Sequence, residues 1–211
     1  MFSLKLYLQK PLKLLLLSYC LFSVNVNATS ILLLGDSLSA SRGMSQKEGW
    51  VSILNQQFID QKSPLNIINA SMSGETTAGG LARLPRILAK NKIDYLLIEL
   101  GGNDGLRGFS PQLMQNNLLQ IIQLAQSKKI TVLLMDIRIP PNYGARYNNL
   151  FNNTFSEVAK KTDIKLMPFF IKDIAIKPSL MQGDGIHPNK KAQPLIAQLM
   201  YKQLSTMIIK K

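Results

Sequence analysis

Ile31-Leu32-Leu33-Leu34-Gly35-Asp36-Ser37-Leu38-Ser39 decides how the rest of the chain is read. Four consecutive apolar residues closed by a glycine show no alternation of apolar and polar positions. They describe a strand buried on both faces, as in a parallel sheet, rather than one with a wet face. The same form recurs downstream. Leu65-Asn66-Ile67-Ile68-Asn69, Tyr95-Leu96-Leu97-Ile98-Glu99-Leu100, Ile130 to Met135 and Ile164 to Met167 read as further strands. Segments with helical spacing separate or follow them: Trp50 to Phe58, Gly80 to Ala89, Pro111 to Ser127, Tyr147 to Lys161 and Ala192 to Ile209. In Pro111–Ser127 the apolar residues Leu118, Ile121, Ile122 and Ala125 share one face, and a proline occupies the first turn. Pro85 is expected to kink or divide its helix. Strands alternating with helices predict a three-layer α/β/α domain. Ligand chemistry in such a domain gathers beyond the carboxyl ends of the strands.

A length of 211 residues fits one domain, and 46% hydrophobic residues can fill its core. The N-terminus reads as a leader rather than as part of the fold. Lys5, Lys10 and Lys13 precede an apolar stretch from Leu14 to Phe22, and Val26-Asn27-Ala28 places small residues at a cleavage site. The stretch is too short for a spanning helix, which needs about 20 residues. Leu17-Ser18-Tyr19-Cys20 fits a lipoprotein signal at two positions, but Tyr19 is too bulky just before the cysteine. Residues 1–28 are therefore assigned to a signal peptide and 29–211 to a single domain, expected to be periplasmic or secreted. Cys20 is the one cysteine and leaves with the leader. This excludes a disulfide, a cysteine nucleophile and a Cys/His zinc site in the mature chain. The net charge of +13 falls by three to +10 without the leader. The lysines are scattered in pairs such as Lys128-Lys129, Lys160-Lys161 and Lys190-Lys191, with no interleaved aromatic stripe. That pattern argues against nucleic acid and for solvated helix faces, with transient attraction to an anionic membrane surface as a lesser role. No coiled coil or swapped segment is visible, so a monomer is expected.

The residues that follow the strands carry the chemistry. Gly35-Asp36-Ser37-Leu38-Ser39 follows the first strand, Ala70-Ser71-Met72-Ser73-Gly74-Glu75 the second and Gly101-Gly102-Asn103-Asp104 the third. Asp184-Gly185-Ile186-His187-Pro188-Asn189 precedes the last helix and holds the only histidine. Each has a plain structural reading. Ser37 or Ser39 could cap the first helix, Gly74 could be a tight bend, and Gly101–Asp104 could be a turn. Asp184 and His187 could share a loop hydrogen bond. Together, each at a strand or helix end, they supply the parts of acyl transfer. Ser37 is a nucleophile that needs a base, and His187 is that base. Asp184, three residues earlier, can orient the imidazole. The backbone N–H groups of Ser37 and Gly74 and the Asn103 amide can receive an oxyanion.

This constellation resembles the SGNH, or GDSL, hydrolase family, whose blocks are named for a serine, a glycine, an asparagine and a histidine. Here they are Ser37, Gly74, Asn103 and His187. The resemblance covers nearly all of the mature chain. It is strongest to the branch holding periplasmic thioesterases, lysophospholipases and arylesterases of Gram-negative bacteria. Supporting stretches include Leu81 to Pro85, Glu99 to Phe109, Tyr143-Gly144 and Pro168-Phe169-Phe170. The resemblance implies a flavodoxin-like sheet of five parallel strands, no metal, no cofactor and a small acyl ester or thioester substrate. Ser41-Arg42-Gly43-Met44 departs from that branch after the nucleophile, and Ile171, Ile174 and Ala175 fall where an acyl groove is lined. Leu106, Phe109, Ile139 and Pro140 are further candidate walls, and the glycines of Gly105–Phe109 imply a loop able to close over a chain. No Gly-x-Ser-x-Gly elbow surrounds Ser37, which argues against an ordinary α/β-hydrolase. Two other readings stay open: an esterase deacetylating carbohydrate, and a phosphate-binding module built on Ser37, Ser39, Ser41 and Ser45.

Overall fold

The structure, a computed structural model, describes residues 28–209, so the leader, apart from Ala28, lies outside the described residues. Five parallel strands form one sheet: β1 (Thr29–Gly35), β2 (Leu65–Asn69), β3 (Tyr95–Glu99), β4 (Thr131–Met135) and β5 (Lys165–Met167). Their spatial order is β2-β1-β3-β4-β5, the flavodoxin-like order. Ile31, Leu32, Leu33 and Leu34 have no exposed surface, because helices cover both faces of β1. Each such side chain contributes about 1.5–3 kcal/mol by leaving water.

The longer helices are α1 (Trp50–Asp60), α2 (Thr77–Lys90), α4 (Pro111–Ser127), α5 (Ala145–Thr162) and α7 (Gln193–Leu204). Short helices α3 (Gly102–Leu106) and α6 (Lys172–Ala175) follow β3 and β5. α1 packs against α7, whereas α4 packs between α2 and α5. The chain passes from β2 over β1 to reach β3, so its connections switch faces between β1 and β3. That switch point leaves a crevice at the carboxyl ends of these two neighbours.

Two sequence expectations need correction, and one plain reading falls away. Pro85 does not divide α2, which runs unbroken from Thr77 to Lys90. Leu84 and Leu88 are buried on either side of it, and this packing holds both halves against the sheet. The closing helix ends at Leu204 and passes into a wider π-turn over Ser205–Ile209. Gly101–Asp104 is no mere turn, since Gly102 starts α3.

Gly101 makes that start. It adopts φ +117°, and a β-carbon there would lie 2.9 Å from Phe155 Cζ. A side chain is thus excluded both by backbone conformation and by packing. Gly101→Ala is expected to lower unfolding free energy by about 1–3 kcal/mol or more. A urea midpoint equal to that of the unsubstituted protein would contradict this account of α3.

Candidate active site

β1 ends at Gly35, and the chain turns through Ser37–Ala40 before the first helix begins at Trp50. Neither Ser37 nor Ser39 caps that helix; its N-cap is Gly49. Ser39 Oγ instead donates to Glu99 Oε2 at 2.7 Å, and Trp50 Nε1–H donates to Leu38 O at 3.2 Å. The turn is therefore fixed from β3 on one side and α1 on the other. Ser37, only 8% exposed, is left with its hydroxyl free to meet His187.

His187 arrives on a tight loop between β5 and α7. Gly185 adopts φ +67°, and the loop closes through Gln182 N–H to His187 O at 2.7 Å and Asn189 N–H to Leu180 O at 2.8 Å. Gln193 at the start of α7 accepts Trp50 N–H through Oε1 at 3.0 Å. Its Nε2–H donates to Asn189 O at 3.3 Å. This anchors the histidine loop to the helix that follows the nucleophile turn.

The two parts meet in a line. His187 Nε2 lies 2.9 Å from Ser37 Oγ, and His187 Nδ1 lies 2.6 Å from Asp184 Oδ2. Asp184 Oδ1 accepts the N–H groups of Ile186 and His187, each at 3.0 Å. Desolvation pushes the Asp184 carboxyl up, but the His187 and Ile186 N–H donors and the imidazole outweigh it and hold it at about 2. It is ionised at neutral pH, so the Nδ1–H tautomer is favoured and Nε2 is free to take the Ser37 proton.

Asn103 stands in the first turn of α3, beyond the end of β3. Its Nδ2–H donates to Asp36 Oδ2 at 3.0 Å, which leaves the second amide hydrogen for another acceptor. Asp104, next to it, accepts Thr77 N–H at 2.9 Å and Thr77 Oγ1–H at 2.6 Å, tying α3 to the start of α2. Gly74 adopts φ +80°, and its carbonyl accepts Arg107 Nη2–H at 2.9 Å. Arg83 braces the same loop through Glu75 Oε2 at 2.5 Å and Ala70 O at 2.9 Å. Ser37, Asn103 and the His187 loop thus meet where sequence order predicts, and Gly74 is held against the end of α3.

A groove of about 650 Å³ runs from Ser37 and Asn103. Leu106, Ile139, Pro140 and Ile171 line it as expected, and Ala175 does too. Two expected wall residues do not. Phe109 is 42% exposed and lies off the groove. The chain turns at Gly108 (φ +67°), Phe109 N–H returns to Asp104 O at 2.9 Å, and Phe109 O accepts the Tyr147 hydroxyl. Ile174 is buried in the core instead, since the short helix α6 directs it inward. Gly105 is no hinge. It is buried in α3, where a β-carbon would come within 2.6 Å of Phe151 Cε2, and the Leu106 carbonyl is held by Tyr143.

Sequence reasoning missed several groove residues: Ile137, Arg138, Pro168, Phe169, Lys172, Ile176 and Ile186. Their signal was positional, because they follow β4 and β5 or neighbour His187. Arg138 Nη2 bonds Asp136 Oδ2 at 2.5 Å, and burial raises the Asp136 carboxyl while that guanidinium lowers it. The hydroxyls of the phosphate-binding reading do not converge: Ser37 faces His187, Ser39 faces Glu99, and Ser45 caps a short 3-10 turn at Gln46–Glu48. Among the described residues, no three His, Cys, Asp or Glu side chains gather as metal ligands do.

Comparison with known proteins identifies the family. Residues 33–194 match the GDSL-like Lipase/Acylhydrolase family. The chain is 47% identical over 181 residues to the Escherichia coli K12 protein named thioesterase 1/protease 1/lysophospholipase L1, with 86% of each chain covered. It is 42% identical over 190 residues to an arylesterase of Vibrio mimicus, covering 90% of this chain and 95% of that one. The crystal structure of the psychrotrophic esterase EstA from Pseudoalteromonas sp., inhibited by monoethylphosphonate, is similar with a TM-score of 0.84 and 46% identity. It covers 86% of this chain and 99% of that one. The chain belongs to the GDSL-like lipase/acylhydrolase family of hydrolases.

Proposed function

We propose that this hydrolase cleaves acyl esters and thioesters, with Ser37 as nucleophile, His187 as general base and acid, and Asp184 as its orienting carboxylate. The observation that carries the reading is the line Asp184–His187–Ser37, at 2.6 and 2.9 Å, opening onto an apolar groove. His187 Nε2 takes the Ser37 proton as Oγ attacks the acyl carbonyl. The oxyanion is received by the N–H groups of Ser37 and Gly74 and by Asn103 Nδ2–H. Among the described residues, neither of those N–H groups donates to another protein acceptor. His187 then protonates the leaving alcohol or thiol, and activates the water that releases the acid.

The groove walls support an acyl chain over a carbohydrate O-acetyl substrate, since Leu106, Ile139, Phe169 and Ile171 offer no hydrogen bonds to a sugar. Names of relatives support aryl esters, acyl thioesters and lysophospholipids as the classes to test. The domain of residues 29–211 acts in this reading as a monomer in the periplasm or outside the cell, after loss of residues 1–28. Among the described residues no helix is long and apolar enough to cross a membrane.

Ser37→Ala is expected to lower turnover of an aryl ester by orders of magnitude and to abolish labelling by a fluorophosphonate. Asn103→Ala is expected to cost about 10²–10³-fold in kcat. Wild-type turnover by folded Ser37→Ala protein would falsify the mechanism. In a series of aryl esters, kcat/KM should climb roughly fourfold per methylene, at about 0.8 kcal/mol each, until the groove is full. Ile139→Trp should stop that climb at a shorter chain, and an unchanged length profile would remove Ile139 from the acyl path. Asp184 makes a pH prediction. Its folded value of about 2 lies below the ordinary 3.8, so its stabilising effect is full above 3.8 and is lost as pH falls through 2. Acid unfolding of wild type and Asp184→Asn, followed by circular dichroism, should therefore differ above pH 3.8 and converge toward pH 2.

A further inference from the structure

Glu99 is a carboxyl with no exposed surface at the end of an otherwise apolar strand. It pairs across the β1–β3 ladder with Gly35, the first residue of the Ser37 block. A β-carbon on Gly35 would lie 2.6 Å from Glu99 Oε2, so the glycine leaves room for this acid. Burial of an ionised carboxylate is costly without a cation or full hydrogen bonding. Among the described residues Glu99 has no salt-bridge partner.

The donors divide its two oxygens. Oε2 accepts Asp36 N–H at 3.1 Å and Ser39 Oγ–H at 2.7 Å, whereas buried Oε1 receives no donor. That is the pattern of a carbonyl oxygen and a hydroxyl. Asp36 is the converse. Its Oδ1 accepts Leu38 N–H at 3.0 Å and its Oδ2 accepts Asn103 Nδ2–H at 3.0 Å, so both oxygens act as acceptors. Asp36 N–H sits on Glu99 Oε2, so the two buried carboxyl groups adjoin, and a contact between them is attractive only when one of them carries a proton.

We propose that Glu99 is a positioning residue for the oxyanion site: its neutral carboxyl donates O–H to the Asp36 carboxylate. Asp36 is thereby held as a pure acceptor that turns Asn103 Nδ2 toward the acyl carbonyl. The inference rests on the reading of Asn103 as an oxyanion donor. Burial, then the Asp36 charge, push Glu99 well above the usual carboxylate range. Burial raises Asp36 to about 6, opposed by the Leu38 N–H, by Glu99, by the His187 charge and by Asn103. The groups facing the pair are Ser39 after β1, Ser71 after β2, Asn103 on α3 and His187 from the last loop.

Glutamine separates this role from that of a buried anion. Its carbonyl can accept from Asp36 N–H and Ser39, and its amide can donate to Asp36 where the acid's O–H does. Glu99→Gln is therefore expected to keep kcat within about twofold of wild type, the scale of ordinary mutational scatter. Asp36→Asn puts a donor where Asp36 must accept, and Glu99→Leu removes the donor altogether. Each should lower kcat on an aryl ester by about 10- to 100-fold, part of the roughly 10²–10³-fold that an oxyanion donor supplies, with KM little changed. In an Asn103→Ala background, Asp36→Asn and Glu99→Leu should add less than about twofold, because they act through the residue already removed.

Thermal denaturation and fluorophosphonate labelling at Ser37 accompany each variant. If Glu99→Leu does not fold, Glu99→Gln and Asp36→Asn carry the test. A folded Glu99→Gln protein with a tenfold or greater loss of kcat overturns the inference, as do losses that multiply in the Asn103→Ala background. Full turnover by Ser37→Ala or Asn103→Ala would instead overturn the catalytic reading beneath it.

Discussion

Backbone polar groups of a parallel sheet covered on both faces are used up in its ladders, so polar chemistry is confined to the strand ends. β1 and β3 are neighbours in that sheet, and their carboxyl ends carry Ser37 and Asn103. The connections part to opposite faces between these two strands, which keeps helices from closing over the crevice. Everything else in the site is an attachment to that pair. The His187 loop is fastened by Gln193 to the start of α1, and Gly74 is fastened by Arg107 to the end of α3.

The attachments are made by backbone groups more than by charge pairs. Asp184 is held ionised chiefly by two N–H donors of its own loop, and the imidazole adds to them. Orientation of the imidazole is thereby built within four residues, and its other nitrogen meets Ser37. Mobility is also restricted where it seemed available. Gly105 is a close-packing glycine against Phe151, and tyrosine hydroxyls hold the carbonyls of Leu106 and Phe109. The groove is thus largely preformed, which lowers the ordering cost of binding.

Asp36 and Glu99 form a second tier beneath the reacting groups. Their carboxyls lie where desolvation is severe, and the turn after β1, the Asn103 amide and the β1–β3 ladder converge on them. Gly35 belongs to the same arrangement, because its missing side chain is the space that Glu99 fills. The Gly-Asp-Ser run is thus three different constraints in sequence: room for a buried acid, an acceptor for the Asn103 amide, and a hydroxyl set against His187.

Strand positions were legible in the sequence because runs such as Ile31–Leu34 and Leu96–Ile98 are apolar without alternation. The meeting of Ser37, Asn103, Asp184 and His187 was legible because each follows a strand or precedes a helix, and the sequence holds one histidine. Glu99 offered a signal, an acid closing an apolar strand, but its meaning needed the cross-strand pairing with Gly35. The groove was the least legible part. Ile174 and Ile171 are equally apolar in the sequence and both are buried, yet only Ile171 also reaches the groove wall. Phe109 is as suitable a wall residue as Phe169, yet one glycine turn directs it elsewhere. Local pattern determined which residue types stand at the strand ends. Only tertiary structure decided which apolar side chains face the substrate, since that depends on helix rotation and loop closure, which no spacing in the sequence records.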